Sequence, residues 1–184
     1  VSNQISTFAA QGPNAAWITA SMFTSALTLL SLAVLITRYQ LLGSSYLVHI
    51  VPLIIGAAVS GLVLLASFKE TGISDIRQQS FHDAGLQVFF LCMLFFLLMA
   101  GCLCYASQPG VGGKVIGVIL ASLGVIALAL LSVPWPKWLG LTDATIGLMQ
   151  RASFFSMWFG VVLLLTLASN KQMQCRIGAG TNSH

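Results

Sequence analysis

Arg151 stands about five residues into an otherwise apolar run near the C-terminal end of the sequence. At 1.5 Å of rise per residue that is roughly 7 Å below the start of a helix, where a charge facing hydrocarbon is costly and a partner is expected. Asp83 and Gln87 are four residues apart and share a helical face; if their helix starts level with that of Arg151, they reach a similar depth. The spacing predicts a polar cluster of Asp83, Gln87, Gln150 and Arg151 near the non-cytoplasmic face, with His82 and Glu70 at its rim. Arg takes phosphate bidentately, so a lipid head group is the ligand such a cluster suits. Snorkelling of Arg151 to the interface, or a purely structural salt bridge, explains the same residues without any activity.

Other chemistry is weaker. A carboxylate can orient an imidazole as a general base, but adjacent residues such as His82 and Asp83 point about 100° apart on a helix, so a dyad needs help from another helix. Glu70, Asp75 and Asp83 with His82 supply oxygens and one nitrogen for a divalent metal, yet their spacing is irregular and a solvated loop is the plainer reading. His49 near a span start invites a bis-histidine haem, but His82 falls at the opposite membrane side and His184 in the tail. None of the four lysines lies within a span, as a retinal pigment requires. Phosphate loop, serine nucleophile elbow and HExxH zinc helix are absent, so no catalytic set, metal or cofactor is expected. Cys92, Cys102, Cys104 and Cys175 show neither metal-ligand spacing nor a disulfide framework and read as free thiols, with Cys175 a candidate for acylation.

The elements that must hold these residues follow from composition. Of 184 residues, 57% are hydrophobic and 7% charged, with a mean hydropathy of +0.92; a soluble domain carries roughly 25% charged residues. The formal charge of +4 is small and dispersed, which excludes nucleic acid as a partner and fits basic cytoplasmic flanks. Crossing a hydrocarbon core of roughly 30 Å takes about 20 apolar residues. Five such runs are predicted, over about 15–37, 46–68, 84–105, 115–133 and 146–167, followed by a polar tail over 169–184 whose end is expected to be mobile. Gly12-Pro13-Asn14, Pro52, His82-Asp83, Pro109-Gly110 with Gly112-Gly113, and Pro134-Trp135-Pro136 punctuate them. Long apolar runs do not alternate as barrel strands do, so the fold class is all-α, a polytopic transmembrane helical bundle forming one domain.

Small residues give the packing faces. Gly113, Gly117 and Ala121 make a small-xxx-small stripe into the fourth helix, and Ala57 with Gly61 another on the second. Phe89, Phe90, Phe95 and Phe96 in the third span read as core or lipid-facing rather than as a ligand box. Lys and Arg divide four against four between the two sides; discounting Arg151 as intramembrane leaves a lean toward a cytoplasmic tail.

Three stretches carry a resemblance. Ile5-Ser6 with Gly12-Pro13-Asn14-Ala15-Ala16-Trp17, His82-Asp83-Ala84-Gly85, and Gly147-Leu148-Met149-Gln150-Arg151 resemble the prokaryotic membrane family known as domain of unknown function 998, over nearly the whole chain from Val1 to Lys171. More distantly, the layout is similar to the eukaryotic Frag1/DRAM/Sfk1 group, whose links are to lipid handling. The first resemblance implies six spans, the extra one just before the Ile-Ser motif, which agrees with a sequence that starts at Val1 rather than Met. It supplies no reaction. The expected function is therefore a non-catalytic accessory, assembly or structural subunit of a membrane complex in a bacterial inner membrane, partnered by lipids and other membrane subunits. The alternative is a lipid-head-group-binding enzyme, transporter or sensor built on the polar cluster.

Overall fold

A computed structural model of the chain describes residues 15–43, 46–68, 76–108, 110–132 and 143–181, the side chains of 15, 76, 131–132, 143–147, 150 and 171–181 excepted. The described residues form five helices in sequence: α1 (Ala15–Tyr39), α2 (Val51–Ser67), α3 (Ile76–Ser107), α4 (Val111–Ser132) and α5 (Asp143–Thr181), with a 3-10 turn, Tyr46–Ile50, leading into α2. All five, α2 together with its 3-10 turn, supply a stretch long and apolar enough to cross a membrane. The chain is an integral membrane helical bundle, as its hydropathy predicts, because helices alone satisfy their own backbone groups in lipid.

Helix ends follow local chemistry. α1 closes with Gln40 in the left-handed region at φ 46°, and the Leu41 N–H donates to the Ile36 carbonyl at 3.2 Å. Leu41 and Ile36 are both buried, so polar and apolar parts of a Schellman-type stop are present. Gly43, at φ +87°, then sits against Ser107 at the end of α3, where an added Cβ would overlap that side chain. The Gln108 amide donates to the Leu41 carbonyl at 2.6 Å and fastens the same corner. Pro52 occupies the first turn of α2, where its missing N–H costs nothing.

Each helix packs on its neighbour in sequence, with α3 between α2 and α4 in the two most extensive interfaces, and α5 returning to touch α1. Backbone proximity explains the intimacy. A Cβ built on Gly61 would lie 2.6 Å from the Phe89 nitrogen and 2.8 Å from the Gly85 carbonyl, and one built on Gly117 2.6 Å from the Tyr105 nitrogen and 2.8 Å from the Gly101 carbonyl. Two glycine crossings, α2 on α3 and α3 on α4, thus replace side-chain interdigitation with van der Waals contact between main chains. Ala121 joins the second crossing, its nitrogen and Cβ facing Gly101, whereas Gly113 instead faces Gln108 in the turn before α4. Ala57 is half-buried on α2. The core between the crossings is filled by Leu29, Leu32 and Ile36 of α1, Ile55 and Leu62 of α2, Phe89, Met93, Phe96 and Leu97 of α3, and Met157, Val161 and Leu164 of α5. Phe95 points outward, so the phenylalanines of the third span divide between core and surface.

The structure differs from the hydropathy reading at the helix ends. α3 begins at Ile76 rather than at Ala84, which puts His82 and Asp83 two turns inside it; α5 runs from Asp143 to Thr181, carrying most of the tail as helix. Gly112 and Gly113 lie in the first turn of α4 rather than in a break. Hydropathy marks where hydrocarbon ends, whereas backbone hydrogen bonding continues into water. At 1.5 Å per residue the 32 residues of α3 span about 48 Å, more than the roughly 30 Å of hydrocarbon. Pro109 and the Trp135–Trp138 segment lie outside the described residues.

Candidate functional site

The polar group nearest to chemistry lies where α2 ends and α3 begins. His82 is 2% exposed, and its Nδ1 stands 2.7 Å from the carbonyl oxygen of Phe68, the C-cap of α2. A carbonyl can only accept, so Nδ1 carries the hydrogen and donates. The imidazole thereby satisfies one of the orphan carbonyls that every helix leaves at its C-terminus. Phe81, one residue earlier, stacks on Phe68 with centroids 4.8 Å apart, a second clamp on the same junction. The elements position His82 through the Gly61–Gly85 crossing, which brings the two backbones together one turn further along α3.

Asp83 lies on a different face. It is exposed, and its Oδ1 accepts a 2.8 Å hydrogen bond from the Gln79 amide, four residues earlier on the same helix. A main-chain carbonyl, not Asp83, therefore orients the His82 ring. The Gln79 amide nitrogen is held by the carboxylate, which turns Oε1 inward; Gln79 Oε1 and His82 Nε2 are both enclosed and have no hydrogen-bond partner among the described residues.

The other predicted members are described in part. Gln87 is exposed one turn beyond Asp83. Arg151 is half-buried on α5 and engaged by an interaction of its own. Gln150 lies in α5 with its side chain outside the described residues, as do Glu70 and Asp75 entirely. His49 sits in the 3-10 turn at the opposite end of the bundle, edge-on to Tyr46 with centroids 6.3 Å apart. Among the described residues, no three His, Cys, Asp or Glu side chains come together as a metal site would require. Cys92, Cys102 and Cys104 form no disulfide among the described residues.

Sequence reasoning passed over Gln79, Phe68 and Ser153. The Ser153 hydroxyl is fully buried and lies 3.5 Å from the Ala127 carbonyl, a polar tie between α5 and α4. Gln79 shows the helical i,i+4 spacing to Asp83 and i,i+3 to His82, a signal readable only once the helix is extended back to Ile76.

A family model described as a protein of unknown function, DUF998, matches residues 1–167. The chain belongs to the DUF998 family. No curated protein and no solved structure matches it. The family stretches at His82-Asp83-Ala84-Gly85 and Gly147–Arg151 fall in the second and third turns of α3 and α5, two helices that start on one side of the bundle. In this DUF998 chain, the first of them holds the histidine that caps α2 and the glycine that allows the closest approach of α2.

Proposed function

We propose that this DUF998 protein is a non-catalytic accessory or assembly subunit of a larger membrane complex, and that α1 presents the contact face. One observation carries the reading. Ser21, Thr24, Thr28 and Ser31 form a hydroxyl stripe on the outward side of α1, and each donates to a backbone oxygen of its own helix at 2.7 to 2.9 Å. With Ala20 they occupy a sector of about 100° at the helical repeat of 3.6 residues. Bulky residues flank this stripe on α1, such as Leu27 and Val34, and stand outward on the other helices, such as Leu53 on α2, Leu91 and Phe95 on α3, Val118 and Val125 on α4, and Phe155 and Phe159 on α5. Small and hydroxyl residues are enriched where membrane helices meet, because they permit close approach and leave oxygen lone pairs to accept a bond from a partner. Single hydroxyls, such as Ser60 on α2 or Thr166 on α5, do not make such a face.

The bundle itself supports a scaffold rather than a reaction chamber. At its two glycine crossings neighbouring backbones meet directly, and His82 Nε2 is enclosed among the described residues. That enclosure weighs against the alternative of a lipid-head-group-binding enzyme, transporter or sensor at this end. The expected setting is a bacterial inner membrane with the C-terminal end of α5 in the cytoplasm. By connectivity that side carries Arg38, Lys114, Lys171 and Arg176 without a carboxylate, whereas Glu70, Asp75, Asp83 and Asp143 belong to the other. Mild-detergent extraction from the native membrane, followed by native mass spectrometry, tests the proposal. A defined stoichiometric complex with another membrane protein is expected; a lone chain carrying only lipid contradicts it.

A further inference from the structure

We infer that the cleft between α1 and α2 at the Arg38 end is a binding site for an anionic phospholipid. The cleft is a shallow groove of about 360 Å³, lined by Ala33, Val34, Thr37, Arg38 and Pro52. Its floor is apolar and lies at membrane depth in the last two turns of α1; its mouth carries a guanidinium. Such a layout matches an acyl chain below a phosphate. The Thr37 hydroxyl is turned back to the Ala33 carbonyl at 2.9 Å and leaves the floor free of an unpaired donor.

Charge decides the class of lipid. Arg38 is exposed, with its Cζ 6.0 Å from the Tyr39 ring centroid, which holds the head group of the side chain at the level of the membrane interface. Asp83, the acid whose side chain is described, is at the opposite end of the bundle. The described tyrosines Tyr39, Tyr46 and Tyr105 all stand at the Arg38 end, where Lys114 is engaged with the Tyr105 ring at 5.8 Å. Arg38 therefore faces lipid with no competing carboxylate among the described residues, and a planar guanidinium takes a phosphodiester through two parallel hydrogen bonds. A zwitterionic lipid brings its own cation to the same place and gains less.

The test uses the full chain in mild detergent, with phosphatidylglycerol or phosphatidylcholine added and bound lipid counted by native mass spectrometry. Arg38→Gln is expected to weaken phosphatidylglycerol retention roughly fivefold, and Lys114→Gln to leave it unchanged. Val34→Trp, at a position 62% exposed, fills the groove without removing the charge and is expected to cause a similar loss. This variant carries the test if Arg38→Gln does not fold. Equal retention of both lipids by the unaltered chain, unchanged retention in the variants, or displacement by excess inorganic phosphate overturns the site. A fall in thermal stability of Arg38→Gln with an unchanged lipid count also overturns it, since Arg38 would then serve only the C-terminus of α1. A photo-crosslinker at position 34 is expected to capture phospholipid in membranes; capture of polypeptide there instead overturns the assignment.

Discussion

Replacing His82 by Ala strands the Phe68 carbonyl at the end of α2 and removes a ring enclosed by α2 and α3. A buried acceptor left without a partner costs about 1–3 kcal/mol, so His82→Ala should destabilise the chain by up to that order, read as a lower thermal midpoint in detergent. Asp83→Asn should change it by less than about 0.5 kcal/mol, because Asp83 is exposed and trades one within-helix bond to Gln79 for another. Comparable losses in the two variants would mean that the histidine and the aspartate work as a pair, contrary to the geometry. The sequence showed that His82, Asp83 and Arg151 were unusual in an apolar chain but not which way each faced. His82 and Asp83 are neighbours in sequence and turn to different surroundings, one to a carbonyl on α2, the other outward.

At the scale of elements, the glycines separate into those that face a backbone and those that do not. Gly61→Val must part α2 from α3, because an atom beyond the α-carbon already meets the Phe89 nitrogen at 2.6 Å; the cost expected from such overpacking is roughly 1–3 kcal/mol or more. Gly117→Val should do the same to α3 and α4. Gly56→Ala, with nothing within 4 Å of the added atom, should be neutral or stabilising by up to about 1 kcal/mol. Thermal unfolding of the three variants would check this, and equal losses in all three would refute the two-crossing description. Gly61, Gly117 and Ala121 could be singled out from their spacing, but their partners Gly85 and Gly101 could not. A periodic stripe defines a face of one helix and says nothing of what meets it. Gly113 shared the spacing of Gly117 yet faces Gln108, because the repeat continues past the point where α3 has already ended. Helix ends were the least legible element for a similar reason: the polar residues from Arg77 to Asp83 lower hydropathy without breaking the helix.

For the molecule as a whole, apolarity made the membrane bundle legible, whereas the orientation rests on a thin charge difference. With the native cysteines replaced, Tyr46→Cys and Trp17→Cys mark opposite ends at positions 81% and 78% exposed. In intact cells a membrane-impermeant thiol reagent should label Trp17→Cys and reach Tyr46→Cys only after lysis; the reverse pattern would invert the topology. The hydroxyl face of α1 has consequences at the same scale, since a lone bundle would more economically turn bulky side chains to lipid. The most direct test places a photo-crosslinking residue at Thr24, within that face, and another at Leu53, on the outward side of α2, in the native membrane. A discrete adduct with one other membrane protein from Thr24 and lipid adducts from Leu53 are the predicted result. Lipid adducts alone from both positions would contradict the accessory-subunit account.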